Sequence, residues 1–145
     1  MPGEKRNALI VFCILLVDQS SKYFVSHNLY LHESRPLIPG VLYCTLVENR
    51  GAAFGMGKGW SGLFVLTALC AVAVIYTALR KGTRGLAVLP LLLILAGTIG
   101  NLIDRLRFGH VIDFLDLRVW PVFNVADSAI TIGAVMLGWQ LLRKK

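Results

Sequence analysis

Four apolar segments, at about 8–25, 62–79, 86–103 and 124–142, constrain this 145-residue chain more than any other feature. Each is about as long as a helix that crosses a hydrocarbon core. Lipid offers a backbone no hydrogen-bonding partner, so each run must satisfy its own N–H and C=O groups as a helix. The expected frame is an all-α membrane bundle, a single domain over 1–145 with no repeat or long linker. A mean hydropathy of +0.67, with 56% hydrophobic residues, excludes an ordinary soluble globule.

The net charge of +7 is unevenly spread. Lys5 and Arg6 precede the first segment, Arg80, Lys81 and Arg84 fill the short second connection, and Arg143, Lys144 and Lys145 follow the fourth. Only Glu4 opposes them there. Positive charge collects on the cytoplasmic side, so both termini are expected in the cytoplasm. The loops at about 26–61 and 104–123 then face outward. The basic balance is a topology signal, and no nucleic-acid partner is expected. Asp18 interrupts the first apolar run and no small-residue cleavage site follows, so that helix is expected to be retained. Cys13, Cys44 and Cys70 form no disulfide framework, and His27, His32 and His110 lack metal-ligand spacing. No metal or cofactor is expected.

Asp18 and Lys22 stand four apart, acid first, with Ser21 beside them on one helix face. Either they neutralise each other near the interface, or they brace something on another helix. In the first loop, 41–47 is rich in β-branched and aromatic residues and reads as a strand. Asn49, Gly51 and Gly55 then turn the chain, Asn49 being either a turn residue or an amide in a site. The glycine-rich 55–59 lacks the Lys-Ser/Thr ending of a phosphate loop and reads as an interfacial turn before Trp60.

Half of the eight acidic residues, Asp104, Asp113, Asp116 and Asp127, lie between 97 and 128. Gly97, Gly100, Asn101 and Asp104 share one face of the third helix. Asn124, Asp127, Ser128 and Thr131 repeat the spacing in the fourth. Two polar stripes at the outward ends suit two helices facing each other around a site, since polar groups turned to lipid are costly. Between them 111–117 reads as an extended segment, with Asp113 opposite Ile112 and Phe114 and with Asp116 on the side of Asp113. Trp120 and Phe123 mark the outer interface.

Paired carboxylates cannot both ionise easily, so they share a proton, and such a pair can activate water and protonate a leaving group. An aspartyl hydrolase is one reading of the cluster. A small four-helix proton-coupled transporter is another. Structural ion pairs, Asp104 with Arg105 or Arg107 and Asp116 with Arg118, are a third.

Four blocks carry a resemblance. They are Asp18-Gln-Ser-Ser-Lys22, Asn49-Arg-Gly51-Ala-Ala53-Phe54, Gly100-Asn101-Leu-Ile-Asp104-Arg105 with Val111-Ile-Asp113-Phe114, and Phe123-Asn124-Val-Ala126-Asp127-Ser128. In that order, with four spans, they resemble the lipoprotein signal peptidase family, signal peptidase II. The resemblance implies an aspartyl endopeptidase of the bacterial cytoplasmic membrane with its site at the outer face. It would cut prolipoproteins on the amino side of a diacylglyceryl-modified cysteine. It implies Asp113 and Asp127 as the catalytic pair, and Asn49, Gly51, Asn101, Arg105 and Asn124 as residues lining or bracing the site. Asp18, Lys22 and Asp104 would support them from behind. It further implies a small outward β cradle from the first and third loops, contact with membrane lipid, inhibition by globomycin-type cyclic peptides, and a monomer.

Overall fold

The computed structural model describes residues 2–51, 61–82 and 87–143. The glycine-rich 55–59, Trp60, the 52–54 part of the second block, Arg84, Lys144 and Lys145 lie outside the described residues. The elements run α1 (Pro2–Asn28), β1 (Ser34–Ile38), β2 (Leu42–Asn49), α2 (Ser61–Arg80), α3 (Val88–Phe108), β3 (Val111–Asp116) and α4 (Val125–Arg143). The helices fall on the four apolar segments, and each is long and apolar enough to cross a membrane.

Helix α3 is central and packs against the other three. Half of its apolar span is buried, against 17% or less for the others. Two glycines set how closely α3 and α4 approach. A methyl group at Gly97 would strike the Ala126 carbonyl oxygen, and one at Gly133 would stand 2.7 Å from the Pro90 oxygen. Lipid is as apolar as a leucine side chain, so such backbone contact drives helix association where the hydrophobic effect gives little. Leu9, Phe12 and Leu16 on α1, Leu66 and Leu69 on α2, and Ile132 and Val135 on α4 remain exposed, as a lipid-facing surface requires.

Helix α3 continues past the expected end at 103, to Phe108. Asp104, Arg105 and Arg107 are therefore helical. Their polarity ends the apolar run without ending the helix. The stop comes at Gly109, whose φ of +75° suits glycine and whose N–H donates to the Arg105 carbonyl at 3.0 Å.

The three strands form an antiparallel sheet in the order β1-β2-β3. Strands β2 and β3 match the extended segments read from the sequence. Strand β1 does not appear in that reading, because Ser34–Ile38 looks polar and contains Pro36. It lies at the sheet edge, where a missing N–H leaves no neighbour unpaired. Val25, Cys44, Leu46, Ile112 and Phe114 make a small core under the sheet. Strand alternation then turns Asp113 the other way. On β2 the core residues Cys44 and Leu46 alternate with Tyr43, Thr45 and Val47; Val47 stands opposite Asp113 and Tyr43 opposite Asp116, the register shifting between Cys44 and Val47. Asp116, which accepts the Thr45 hydroxyl, therefore keeps to the side of Asp113, as expected.

Candidate active site

Asp113 is 1% exposed and accepts two amide hydrogen bonds. Asn49 donates through Nδ2 to its Oδ2 at 2.8 Å, and Asn124 donates through Nδ2 to its Oδ1 at 2.6 Å. Neither amide is free to turn over. The Gly51 N–H donates to Asn49 Oδ1 at 3.0 Å, and the Asp127 N–H donates to Asn124 Oδ1 at 2.8 Å. Both NH2 groups are thereby aimed at Asp113. Burial, and then the negative charge of Asp127, push the Asp113 carboxyl up to about 7, while the Asn49 and Asn124 amides pull it down.

Asp127 sits in the first turn of α4. Asn124 precedes that helix and caps it, and Asp127 reaches back with Oδ2 to accept the Asn124 N–H at 3.3 Å. This reciprocal box is how a local helix-start signal, Asn-x-x-Asp, fixes the Asp127 carboxylate. Asn101 Nδ2 donates to the other oxygen, Oδ1, at 2.7 Å. Asn124, fully buried, thus touches both aspartates at once.

Behind them lies a buried ionic cluster. Lys22 Nζ stands 3.0 Å from Asp18 Oδ2 and 2.8 Å from Asp104 Oδ2, and donates to Asn101 Oδ1 at 3.0 Å. Each carboxylate also reaches backbone. Asp18 Oδ1 accepts the Ala126 N–H at 2.9 Å, beside Asp127, and Asp104 Oδ2 accepts the Ile112 N–H at 3.2 Å, beside Asp113. Asp18 and Lys22 are therefore both a neutralising pair and a brace. Each acid of the cluster pins the chain next to one acid of the site. Gly100 leaves room for this, since a methyl group there would come within 2.6 Å of Asp18 Oδ2. Ser21 lies outside the network and returns its hydroxyl to the Asp18 carbonyl at 2.8 Å.

Arg105 is held by the Gly51 and Asn101 carbonyls at 3.4 and 3.5 Å, with its guanidinium 5.2 Å from the Phe64 ring centroid. Asn49, Gly51, Asn101, Arg105, Asp113 and Asp127 line one cavity of about 270 Å3. Trp120 to Phe123 also line it, with Thr131 of the second polar stripe. Ser128 of that stripe instead bonds back to the Asn124 carbonyl at 2.9 Å. Of the ion pairs considered as an alternative, Asp116 does meet Arg118, at 3.6 Å, whereas Asp104 pairs with Lys22.

Residues 10–143 match the model of a protein family described as signal peptidase (SPase) II. The chain belongs to the signal peptidase II family. A lipoprotein signal peptidase of Moorella thermoacetica is 47% identical over 136 residues, covering 92% of this chain and 91% of that one. Another, of Halothermothrix orenii, is 44% identical over 131 residues, with 89% and 90% covered. A solved bacterial membrane enzyme superposes with a TM-score of 0.92 at 30% identity, over 96% of this chain and 88% of that one.

Within this peptidase family scaffold, two features of the site escape a reading of the sequence. Gln19 donates through Nε2 to Asp18 Oδ2 and to Asp104 Oδ1, both at 3.0 Å, and so ties α1 to α3. Its signal is an amide next to an acid inside an apolar run. The other feature is the 120–123 wall, whose aromatic residues read as interface markers and also close the cavity.

Proposed function

We propose that this multi-pass membrane protein removes signal peptides from bacterial prolipoproteins by an aspartyl mechanism. The cut falls on the amino side of a diacylglyceryl-modified cysteine. One observation carries the reading: Asp113 and Asp127 line a single cavity, linked through Asn124, with Asp113 pushed up to about 7. Near neutral pH the pair then holds one proton between its members. The ionised carboxylate takes a proton from water as the oxygen attacks the scissile carbonyl. The protonated one donates to the carbonyl oxygen, and the leaving amine receives a proton as the tetrahedral intermediate collapses. Asn49, Asn101 and Asn124 orient the carboxylates, Gly51 braces Asn49 and Arg105, and Arg105 engages the peptide from the cavity lining. No step calls for a metal or cofactor.

The distribution of Lys and Arg supports cytoplasmic termini and a site at the outer face of the cytoplasmic membrane. There the lipid on the cysteine can stay among acyl chains while the peptide reaches the cavity. Each buried methylene contributes about 0.8 kcal/mol, so the lipid supplies much of the affinity. Globomycin-type cyclic peptides fit the same site as blocked substrates. Membership of a peptidase family displaces the transporter reading.

The test is incubation of the purified protein with lipidated and unlipidated prolipoprotein. Rapid cleavage of the lipidated form only is expected. Asp113→Asn and Asp127→Asn should each lose cleavage by about a thousandfold or more while remaining folded, and the double variant should be little worse than either. Near-normal turnover in a folded single variant would refute the aspartyl mechanism.

A further inference from the structure

The Trp120–Phe123 part of the cavity wall belongs to no named helix or strand. It belongs to the connection between β3 and α4, which leaves the sheet at Asp116 and returns at Phe123. Its far end is sewn down by backbone bonds: the Leu115 N–H donates to the Phe123 carbonyl at 2.7 Å, and the Phe123 N–H donates back at 3.0 Å. Its near end is held differently, through side chains, Arg118 among them. Arg118 lays its guanidinium 3.9 Å from the centroid of the Tyr43 ring on β2. It donates through Nη2 to Ser34 Oγ on β1 at 2.6 Å, and its Nε lies 3.6 Å from Asp116 Oδ2. Its own N–H donates to Asp116 Oδ1 at 2.8 Å. Asp116 is fixed in turn by the Thr45 hydroxyl at 2.7 Å.

Two further observations single Arg118 out. Its φ is +66°, in the left-handed region where a residue with a Cβ is disfavoured, so the contacts hold the backbone in a conformation it would otherwise leave. And the next two residues carry exposed apolar side chains, Val119 91% exposed and Trp120 60% exposed, the second of which lines the cavity.

We propose that Arg118 is a positioning residue for substrate binding. By clamping the start of this connection to all three strands, it sets where the Trp120–Phe123 wall stands relative to Asp113 and Asp127, and hence the width of the cavity. It touches neither aspartate, so it acts on affinity for the peptide and not on the chemical step. This rests on the peptidase reading, and the experiment separates the two.

Arg118→Ala, Arg118→Gly and Arg118→Lys are compared with the unaltered protein in the same lipid. Hydrogen exchange of 117–122 is followed without substrate, and KM and kcat are measured on a lipidated precursor. Arg118→Ala should speed exchange in that segment by about tenfold, leave the other strand amides protected, and raise KM about five- to tenfold at nearly constant kcat. Arg118→Gly relieves the left-handed backbone, so it should match the unaltered protein in thermal stability yet show the same rise in KM. Arg118→Lys keeps a cation over the ring and should recover most of the affinity. The proposal is overturned if exchange in 117–122 is unchanged, if KM stays constant while stability falls, or if kcat falls instead. If the unaltered protein cuts no precursor while Arg118→Ala still frees the segment, the peptidase reading fails and the clamp stands.

Discussion

Replacing Asp113 by asparagine removes a carboxyl that folding holds far from its ordinary protonation. The linkage has a definite sign. The group is raised in the folded protein from 3.8 to about 7, so between those values the folded state holds a proton that the unfolded state has released. Stability from this group is full below about 3.8 and declines as pH rises through about 7. Between pH 5 and pH 9 the decline amounts to about 3 kcal/mol, taking about 1.4 kcal/mol per pH unit until the folded carboxyl ionises. Asp113→Asn does not titrate and escapes it. Against this stands a cost independent of pH. The Asn49 and Asn124 amides both aim NH2 groups at position 113, and both are locked by backbone donors. An asparagine there offers one oxygen and must turn its own NH2 toward the other amide, a mismatch that costs about 1–3 kcal/mol.

The two effects together predict a crossover. Asp113→Asn should be less stable than the unaltered protein at pH 5 and as stable or more stable at pH 9. The difference between the two proteins should move by about 3 kcal/mol, or roughly 6–12 °C in melting temperature for a chain of this size. Thermal unfolding in one lipid–detergent mixture, stepped from pH 5 to 9, measures it, with Asp116→Asn as a control. Melting curves that keep a constant separation across that range would refute the account of Asp113.

Asn49→Ala removes a donor that stabilises ionised Asp113, so the alkaline limb of the kcat/KM profile should rise by about one pH unit; an unmoved or lowered limb counts against the pairing. Lys22→Met leaves Asp18 and Asp104 buried without a cation and should cost about 3–5 kcal/mol of stability, measured by thermal unfolding in lipid, whereas an unchanged melt would show that the cluster is not a brace. Reporter fusions after Gly82 and after Arg143 should report cytoplasm and fusions at Ser34 and Phe108 the outside; a cytoplasmic signal at Ser34 inverts the topology.

The helices were legible because lipid leaves a chain of this composition few choices, and the runs announce themselves by length alone. Strand β3 was legible because Ile112 and Phe114 flank an acid that a lipid-facing helix would not tolerate. Strand β1 was not, since an edge strand held by backbone pairing needs no apolar pattern and tolerates Pro36. The polar stripe on α3 points to Asn101 and Asp104 together but says nothing of their different partners. Asn101 reaches Asp127, and Asp104 reaches Lys22 and the Ile112 N–H. Those choices depend on how α1 docks, which spacing within one helix does not encode.

The same limit explains why Asp18 and Lys22 left two readings open. An acid and a base four apart on a helix look self-sufficient, and in water such a pair contributes little. Buried at 1% and 2% exposure, they are a different object. Desolvation makes each charge costly unless every lone pair and proton is used, and the unused valences reach for whatever backbone is near. Here that backbone is the Ala126 N–H beside Asp127, and through Asp104 the Ile112 N–H beside Asp113. Full satisfaction of one buried lysine thus sets the positions of two aspartates on separate elements. The shared proton proposed for Asp113 and Asp127 calls for that rigidity, because the two must keep one separation while their joint charge changes.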